Sequence, residues 1–126
     1  MTGATVAELG RHEDARGVIQ DLLGAVDSVT MITTWAGHIR GNHVHRETVQ
    51  WTYVTDGLIE FAWLEDDGVH TMQRGPGNLV KEEAGIPHAW RAVTDCRVLV
   101  FTQGPRSGED YESDTCRLPE NARLLT

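Results

Sequence analysis

Two histidines separated by one residue, His43-Val44-His45, are the first place in this chain where residue types and spacing could do chemistry. In a β-strand, residues i and i+2 point to the same face, about 7 Å apart along the chain. Two imidazoles so placed can grip one divalent ion, although such a pair alone is commonly just a solvated strand surface. The surroundings single this pair out. Gly37 precedes His43 by six residues, Gln50 follows His45 by five, and Gly57 follows Gln50 by seven. A second segment runs from Gly77 through Glu83 and Gly85 to His88, with Ala92 four residues further on.

Together these residues resemble the two motifs of the cupin family, G-x5-H-x-H-x3,4-E-x6-G and G-x5-P-x-G-x2-H-x3-N. This chain reads Gly37-x5-His43-x-His45-x4-Gln50-x6-Gly57, then Gly77-x5-Glu83-x-Gly85-x2-His88-x3-Ala92. The resemblance implies an all-β fold, a single cupin β-barrel (a double-stranded β-helix, or jelly roll). It also implies one divalent metal ion held between His43, His45, Gln50 and His88. Glu83 and Ala92 depart from the pattern at a turn and a strand end, where no chemical consequence is expected. Gln50 stands where the family most often carries Glu, with the same reach but no charge. Glu47, two residues beyond His45, is the acidic alternative, and the x4 spacing favours Gln50. Three imidazoles and one amide would leave the ion its full +2 charge, which favours polarising a carbonyl or acidifying a bound water. Such ligands suit Zn, Fe, Ni, Co or Mn and do not choose among them.

The elements that must position these residues are short and β-rich. From Arg16 onward, runs at 18–23, 26–35, 48–55, 58–64, 69–74, 78–83, 88–93 and 97–103 alternate with Gly, Asp and Pro turn chemistry. Thr55-Asp56-Gly57-Leu58 is the strongest hairpin signal. Eight such runs, with no convincing amphipathic helix between Arg16 and Gly104, predict a barrel or sandwich. One domain is expected over 1–126, with its barrel core at about 16–104. A short N-terminal arm precedes it, in which residues 6–9 could form a helical turn. A polar C-terminal tail, 105–126, is expected to run over the outside of the barrel or onto a partner subunit.

Lys and Arg number 11 against 19 Asp and Glu, for a net charge of −8. Nucleic acid and anionic membrane surfaces are therefore not expected partners, since both call for a basic face. A pocket can still be locally basic on an acidic protein. No run approaches the roughly 20 apolar residues of a spanning helix. Residues 1–10 lack the basic and apolar regions of an export signal, so a cytoplasmic location is expected. Cys96 and Cys116 make no disulfide framework and are expected to be reduced.

Alternation along the strands names the neighbours of the metal. If His88 points inward, Trp90 does too and Arg91 faces out. If Gln50 points inward, Thr52 and Val54 follow it, leaving Trp51 and Tyr53 outside. Those outward aromatics, with Trp35, Phe61 or Trp63 as neighbours, predict a homodimer that buries them. Trp90 serves as packing or as a flat wall for a ring-shaped ligand. On 58–64 either Glu60 or the pair Phe61 and Trp63 faces in. Glu60 is the first candidate for a general base and Glu47 the second. His12 and His70 read as solvated, and His38 as part of the barrel rim.

A further resemblance narrows the family. Asp14-Ala15-Arg16-Gly17 and Arg40-Gly41-Asn42-His43-Val44-His45 are similar to stretches in small cupins of sugar-nucleotide and polysaccharide biosynthesis, keto-sugar isomerases and epimerases among them. That resemblance places Arg40 at the cavity mouth, where a guanidinium could clamp a phosphate or carboxylate. Arg40, Thr52 and Trp90 are thus the candidate substrate contacts. Small metal cupins also serve as polyketide cyclases. The leading expectation is a metal-dependent isomerase, epimerase or cyclase acting as a Lewis acid on a small carbonyl-containing sugar or polyketide-like metabolite. A metal-dependent (Fe or Ni) dioxygenase and a non-catalytic small-molecule binding module stay open.

Overall fold

Along Val49–Asp56, Gln50, Thr52 and Val54 are buried while Trp51, Tyr53 and Thr55 are only partly so. The same two-residue rhythm runs along Ser28–Thr34, Gly68–Arg74 and Cys96–Gln103, because side chains in a strand point alternately to opposite faces. The computed structural model of the protein describes residues 4–6 and 10–126. Its strands are β1 (Ala4–Val6), β2 (Arg11–Asp14), β3 (Gly17–Gln20), β4 (Ser28–Thr34), β5 (Ile39–His45) and β6 (Val49–Asp56). They continue with β7 (Ile59–Glu65), β8 (Gly68–Arg74), β9 (Leu79–Glu82), β10 (His88–Ala92), β11 (Cys96–Gln103) and β12 (Thr115–Arg117). A short helix, α1 (Gly108–Asp114), precedes β12, and a 3-10 turn at Glu120–Ala122 follows it.

Two five-stranded antiparallel sheets, ordered β1-β9-β6-β11-β4 and β12-β5-β10-β7-β8, form the all-β jelly roll. Their inner faces meet in one apolar core built from Val54, Val80, Val98 and Val100 on one side and Ile59, Phe61, Trp63 and Trp90 on the other. Phe61 and Trp63 therefore point inward, and they are not available for the outer aromatic patch expected of them. Burying two aromatic rings outweighs burying the Glu60 carboxylate, so β7 turns Glu60 outward, where Arg91 Nη1 donates to it at 2.7 Å.

Both ends carry strands beyond the eight runs read from the sequence. The tail is polar, yet β12 joins the wall of the barrel by pairing with β5, Thr115 opposite His45 and Arg117 opposite His43. Those three residues close a sheet edge that would otherwise present unpaired backbone groups. Leu125 then covers Ala62 and Ala89. At the other end the short N-terminal arm contains a strand, Arg11–Asp14. It pairs with Gly17–Gln20 as a separate two-stranded sheet, exposed along its whole length. The helical turn considered for residues 6–9 lies outside the described residues beyond Val6, which ends β1. No helix among the described residues is long and apolar enough to cross a membrane. Cys96 and Cys116 are both free.

The Asp56-Gly57 turn between β6 and β7 tests how tightly the barrel is closed. Gly57 has φ +82°, and a Cβ there would lie 2.8 Å from the Cys96 Cβ and 2.9 Å from its Cα. Strain and overlap with backbone therefore add, and Gly57→Ala is expected to cost about 3 kcal/mol. The measurement is a lowered urea midpoint at unchanged m-value.

Candidate active site

The site is assembled on one strand pair. β5 and β10 run antiparallel with His88 directly opposite His43, and the register shifts between His88 and Ala89. Close approach there depends on Gly41. Its φ is +90°, and a Cβ would meet the His88 carbonyl oxygen at 3.0 Å. Asn42 follows at φ 54°, held by its side chain, whose Oδ1 accepts from the Leu124 and Leu125 amides at 2.8 and 3.3 Å. Past this irregularity His43 and His45 project into the barrel together, with ring centroids 4.5 Å apart.

The three imidazoles converge. Nε2 of His43 lies 3.1 Å from Nε2 of His88, and ligating atoms of His43, His45 and His88 all fall within 4.8 Å of one another. Each outer nitrogen has a fixed partner in two of the three rings. His88 Nδ1 faces the Ile86 carbonyl at 3.3 Å, and His45 Nδ1 faces Thr115 Oγ1 at 3.1 Å and Asp114 Oδ2 at 3.7 Å. Donating Nδ1–H outward leaves a lone pair at Nε2 aimed at the centre, the arrangement that orients metal-binding histidines. His45 Nε2 is buried and has no hydrogen-bond partner among the described residues. Burial keeps the rings neutral. It lowers His43 to about 3, helped by the neighbouring His88 and His45, and lowers His88 to about 4, with His45 shifted the same way. A neutral, convergent, oriented set with an orphaned nitrogen fits a divalent cation.

His43 and His88 open onto a cavity of about 270 Å³ that also takes in Gln50, Thr52, Trp90 and Arg40. Four side chains absent from the sequence reading join them. Glu82 on β9 is buried, accepts a hydrogen bond from Thr52 Oγ1, and places Oε2 3.3 Å from His88 Nε2. An acidic side chain thus stands beside the imidazoles, where the expected set of three imidazoles and one amide held none. Tyr111 on α1 and Arg106 just before that helix line the same cavity, with the guanidinium over the ring at 5.8 Å. Asp114, at the end of α1, backs His45. The signal for Glu82 was the same alternation used elsewhere, since Val80 two residues earlier is fully buried. Nothing in the short polar tail marked Tyr111, Arg106 or Asp114.

Both arginines are anchored by hydrogen bonds to β4. Arg40 Nε donates to Thr34 Oγ1 at 2.7 Å and its Nη2 to the Thr33 carbonyl at 3.3 Å, while Arg106 Nε donates to Thr30 Oγ1 at 3.2 Å. Neither is salt-bridged among the described residues, whereas Arg11, Arg16, Arg91 and Arg117 are. The carboxylates named from sequence lie elsewhere. Glu60 sits outside with Arg91, and Glu47 lines a separate groove with Arg46, Asp110 and Ser113, its amide donating to Asp114 Oδ1 at 2.7 Å. His70 is on the surface between Asp67 and Glu65, at 2.6 and 2.9 Å.

The Cupin domain family matches this chain over residues 30–102. No curated protein matches it by sequence. Among solved structures it is similar to a sugar 3,4-ketoisomerase from Thermoanaerobacterium thermosaccharolyticum in complex with TDP, with a TM-score of 0.75 and 16% identity over 95% of this chain and 91% of that one. A dTDP-4-dehydrorhamnose 3,5-epimerase from Sulfolobus tokodaii gives 0.75 and 15% over 97% and 80%. A TDP-fucose-3,4-ketoisomerase from Campylobacter jejuni gives 0.73 and 12% over 91% and 89%. At these identities the likeness is one of fold.

The buried histidines make the metal-free protein acid-sensitive. Between about pH 4 and 6.5 the unfolded chain binds protons on these rings that the folded state refuses, so stability rises with pH there and is lost on acidification. Glu82 works in the opposite sense. Burial holds its carboxyl up at about 7 against 4.5, so the folded state keeps a proton that the unfolded chain has lost. Three rings against one carboxyl leave a net loss as pH falls. Urea titrations across that range should show it, and His88→Asn should flatten the dependence. A flat profile in the unaltered protein would contradict the buried neutral cluster.

Proposed function

The chain belongs to the cupin domain family, and from that premise we propose that it is an isomerase or epimerase acting beside a carbonyl of an anionic sugar, with one divalent ion held by the imidazoles of His43, His45 and His88. One observation carries this reading: the neutral imidazoles of His43 and His88 and two arginines without carboxylate partners among the described residues share a single cavity on a protein of net charge −8. Bound there, the ion would polarise a substrate carbonyl. The chain's own residues do the rest. Arg40 and Arg106 take the anionic end of the substrate, and a nucleotide-linked sugar of the kind named for the structural neighbours supplies such a group. Trp90 gives the sugar ring a flat wall. The Tyr111 hydroxyl carries the proton at its Oη, being, among the described residues, the one cavity-lining acid–base group outside the cluster of imidazoles and Glu82.

A second reading has its own observation. His45 Nε2 is orphaned in front while Asp114 and Thr115 hold its Nδ1 behind. That is how an imidazole is set up to take a proton without any metal. Solvent deuterium wash-in next to the carbonyl of a TDP-linked 4-keto sugar separates the two. Under the first reading, exchange is lost on chelation, returns with zinc in the absence of oxygen, and falls roughly 100-fold in Tyr111→Phe. Arg40→Ala and Arg106→Ala should raise KM about tenfold with little change in kcat. Exchange that survives chelation and vanishes in Asp114→Asn would move the proton to His45. A requirement for oxygen would turn the proposal to a dioxygenase.

We further infer a homodimer through the outer face of β4, β11 and β6. Val29 and Met31, 55% and 63% exposed, lie beside Phe101 and Leu99, which in turn lie beside Trp51 and Tyr53. Six large apolar side chains in two continuous rows make a patch that a second copy can bury. Sedimentation is expected to give about twice the 14.0 kDa chain mass, and Met31→Glu to give the monomer. A monomeric parent chain at micromolar concentration overturns the inference.

A further inference from the structure

One carboxylate stands among the imidazoles although the motif that usually supplies it carries Gln50. Glu82 is 4% exposed and sits directly opposite Gln50 in the β6–β9 ladder. Thr52 Oγ1 donates to its Oε1, which fixes the carboxylate plane and leaves Oε2 facing His88 Nε2 at 3.3 Å. That same Nε2 lies 3.1 Å from His43 Nε2. With His88 Nδ1–H directed at the Ile86 carbonyl, its Nε2 offers only a lone pair. Each neighbouring pair can share a proton, from the Glu82 carboxyl or from the Nε2–H tautomer of His43, and a divalent cation in place of those protons would be bound by all three donors. Both gaps at His88 Nε2 match those of ligands on one ion: bonds of about 2.0–2.1 Å in a tetrahedral set put neighbouring donors about 3.3 Å apart.

We propose that Glu82, rather than Gln50, is the fourth ligand of the metal, so that the carboxylate missing from its usual strand reaches the ion from the cross-strand neighbour. The inference rests on the metal reading above and deepens it. It sets the charge of the filled site at +1 rather than +2, and it leaves Gln50 free to hydrogen-bond a substrate. The pairing also explains how the family's Glu can be absent from position 50 without the site losing its anion. The two positions face each other across one ladder, and both point into the same cavity.

The test is cobalt(II) binding by the purified full-length chain, followed by equilibrium dialysis and by the visible absorption of the loaded protein. The parent chain should bind one equivalent. Glu82→Gln, nearly the same in shape, should weaken binding about 100-fold or more, since even partners behind a ligand cost 10–100-fold, and should shift the cobalt bands. Gln50→Ala should change affinity by less than about tenfold. The exchange Gln50→Glu with Glu82→Gln moves the carboxylate across the ladder and should recover most of the lost affinity. Should Glu82→Gln fail to fold by circular dichroism, Glu82→Asp keeps the charge with a shorter reach and should weaken binding and shift the bands. Parent-like affinity and spectrum in whichever Glu82 variant folds, or an equal loss in Gln50→Ala, overturns the ligand assignment while the histidine site stands. A parent chain that binds no cobalt overturns both.

Discussion

Nε2 of His43 and Nε2 of His88 face each other at 3.1 Å across the β5–β10 ladder, and for both to offer lone pairs to one cation the rings must be held in the matching tautomers. Each lone pair must be turned to the same point by a partner on the far side of its ring, and the pair must be kept from water that would offer a proton. The barrel supplies both conditions. The Ile86 carbonyl and the Thr115 hydroxyl orient two of the rings, and Phe61 lies parallel to His88 with centroids 6.1 Å apart. The local cost is visible in the backbone, where Gly41 and Asn42 take positive φ so that β5 can approach β10.

Charge follows from that constraint. A cluster that refuses protons in a protein of net charge −8 would attract no anion on its own account. Arg40 and Arg106 reverse the sign locally, and they can do so because β4 holds them by threonine oxygens instead of carboxylates. A neutral acceptor fixes the guanidinium in place and leaves its charge uncancelled, which a salt bridge would not. The cationic mouth and the acidic exterior together guide an anionic ligand to one place on the surface.

How much of this was legible in sequence depends on which rule governed each residue. Period-two alternation placed Gln50, Thr52 and Val54 on one face and His88 with Trp90 on another, because a strand in a closed barrel has no freedom to do otherwise. The same rule left Glu60 and Phe61 undecided, since either phase of β7 was possible until the cost of exposing two aromatic rings was counted. Glu82 was passed over because Lys81-Glu82-Glu83 reads as solvated charge. Its burial comes from the partner strand, where Thr52 stands ready to bond it. The tail beyond Gly104 was the least legible part. A seven-residue helix and a three-residue strand leave no periodicity to find, and their places are fixed by β5.

That tail changes what kind of site this is. β12 pairs with the strand that carries His43 and His45, so the backbone hydrogen bonds that close the sheet also bring Thr115 to His45 Nδ1. α1, one step earlier in the chain, carries Tyr111 over the cavity and Asp114 behind the same ring. Asp114 is held in turn, since the amides of Arg46 and Glu47 donate to its carbonyl and to its carboxylate at 2.8 and 2.7 Å. The strand that presents the imidazole and the helix that orients it are therefore tied together immediately past His45. A displacement of α1 would move the Tyr111 hydroxyl and the orientation of His45 at once, so the lining of the cavity and the closure of the barrel share one set of contacts.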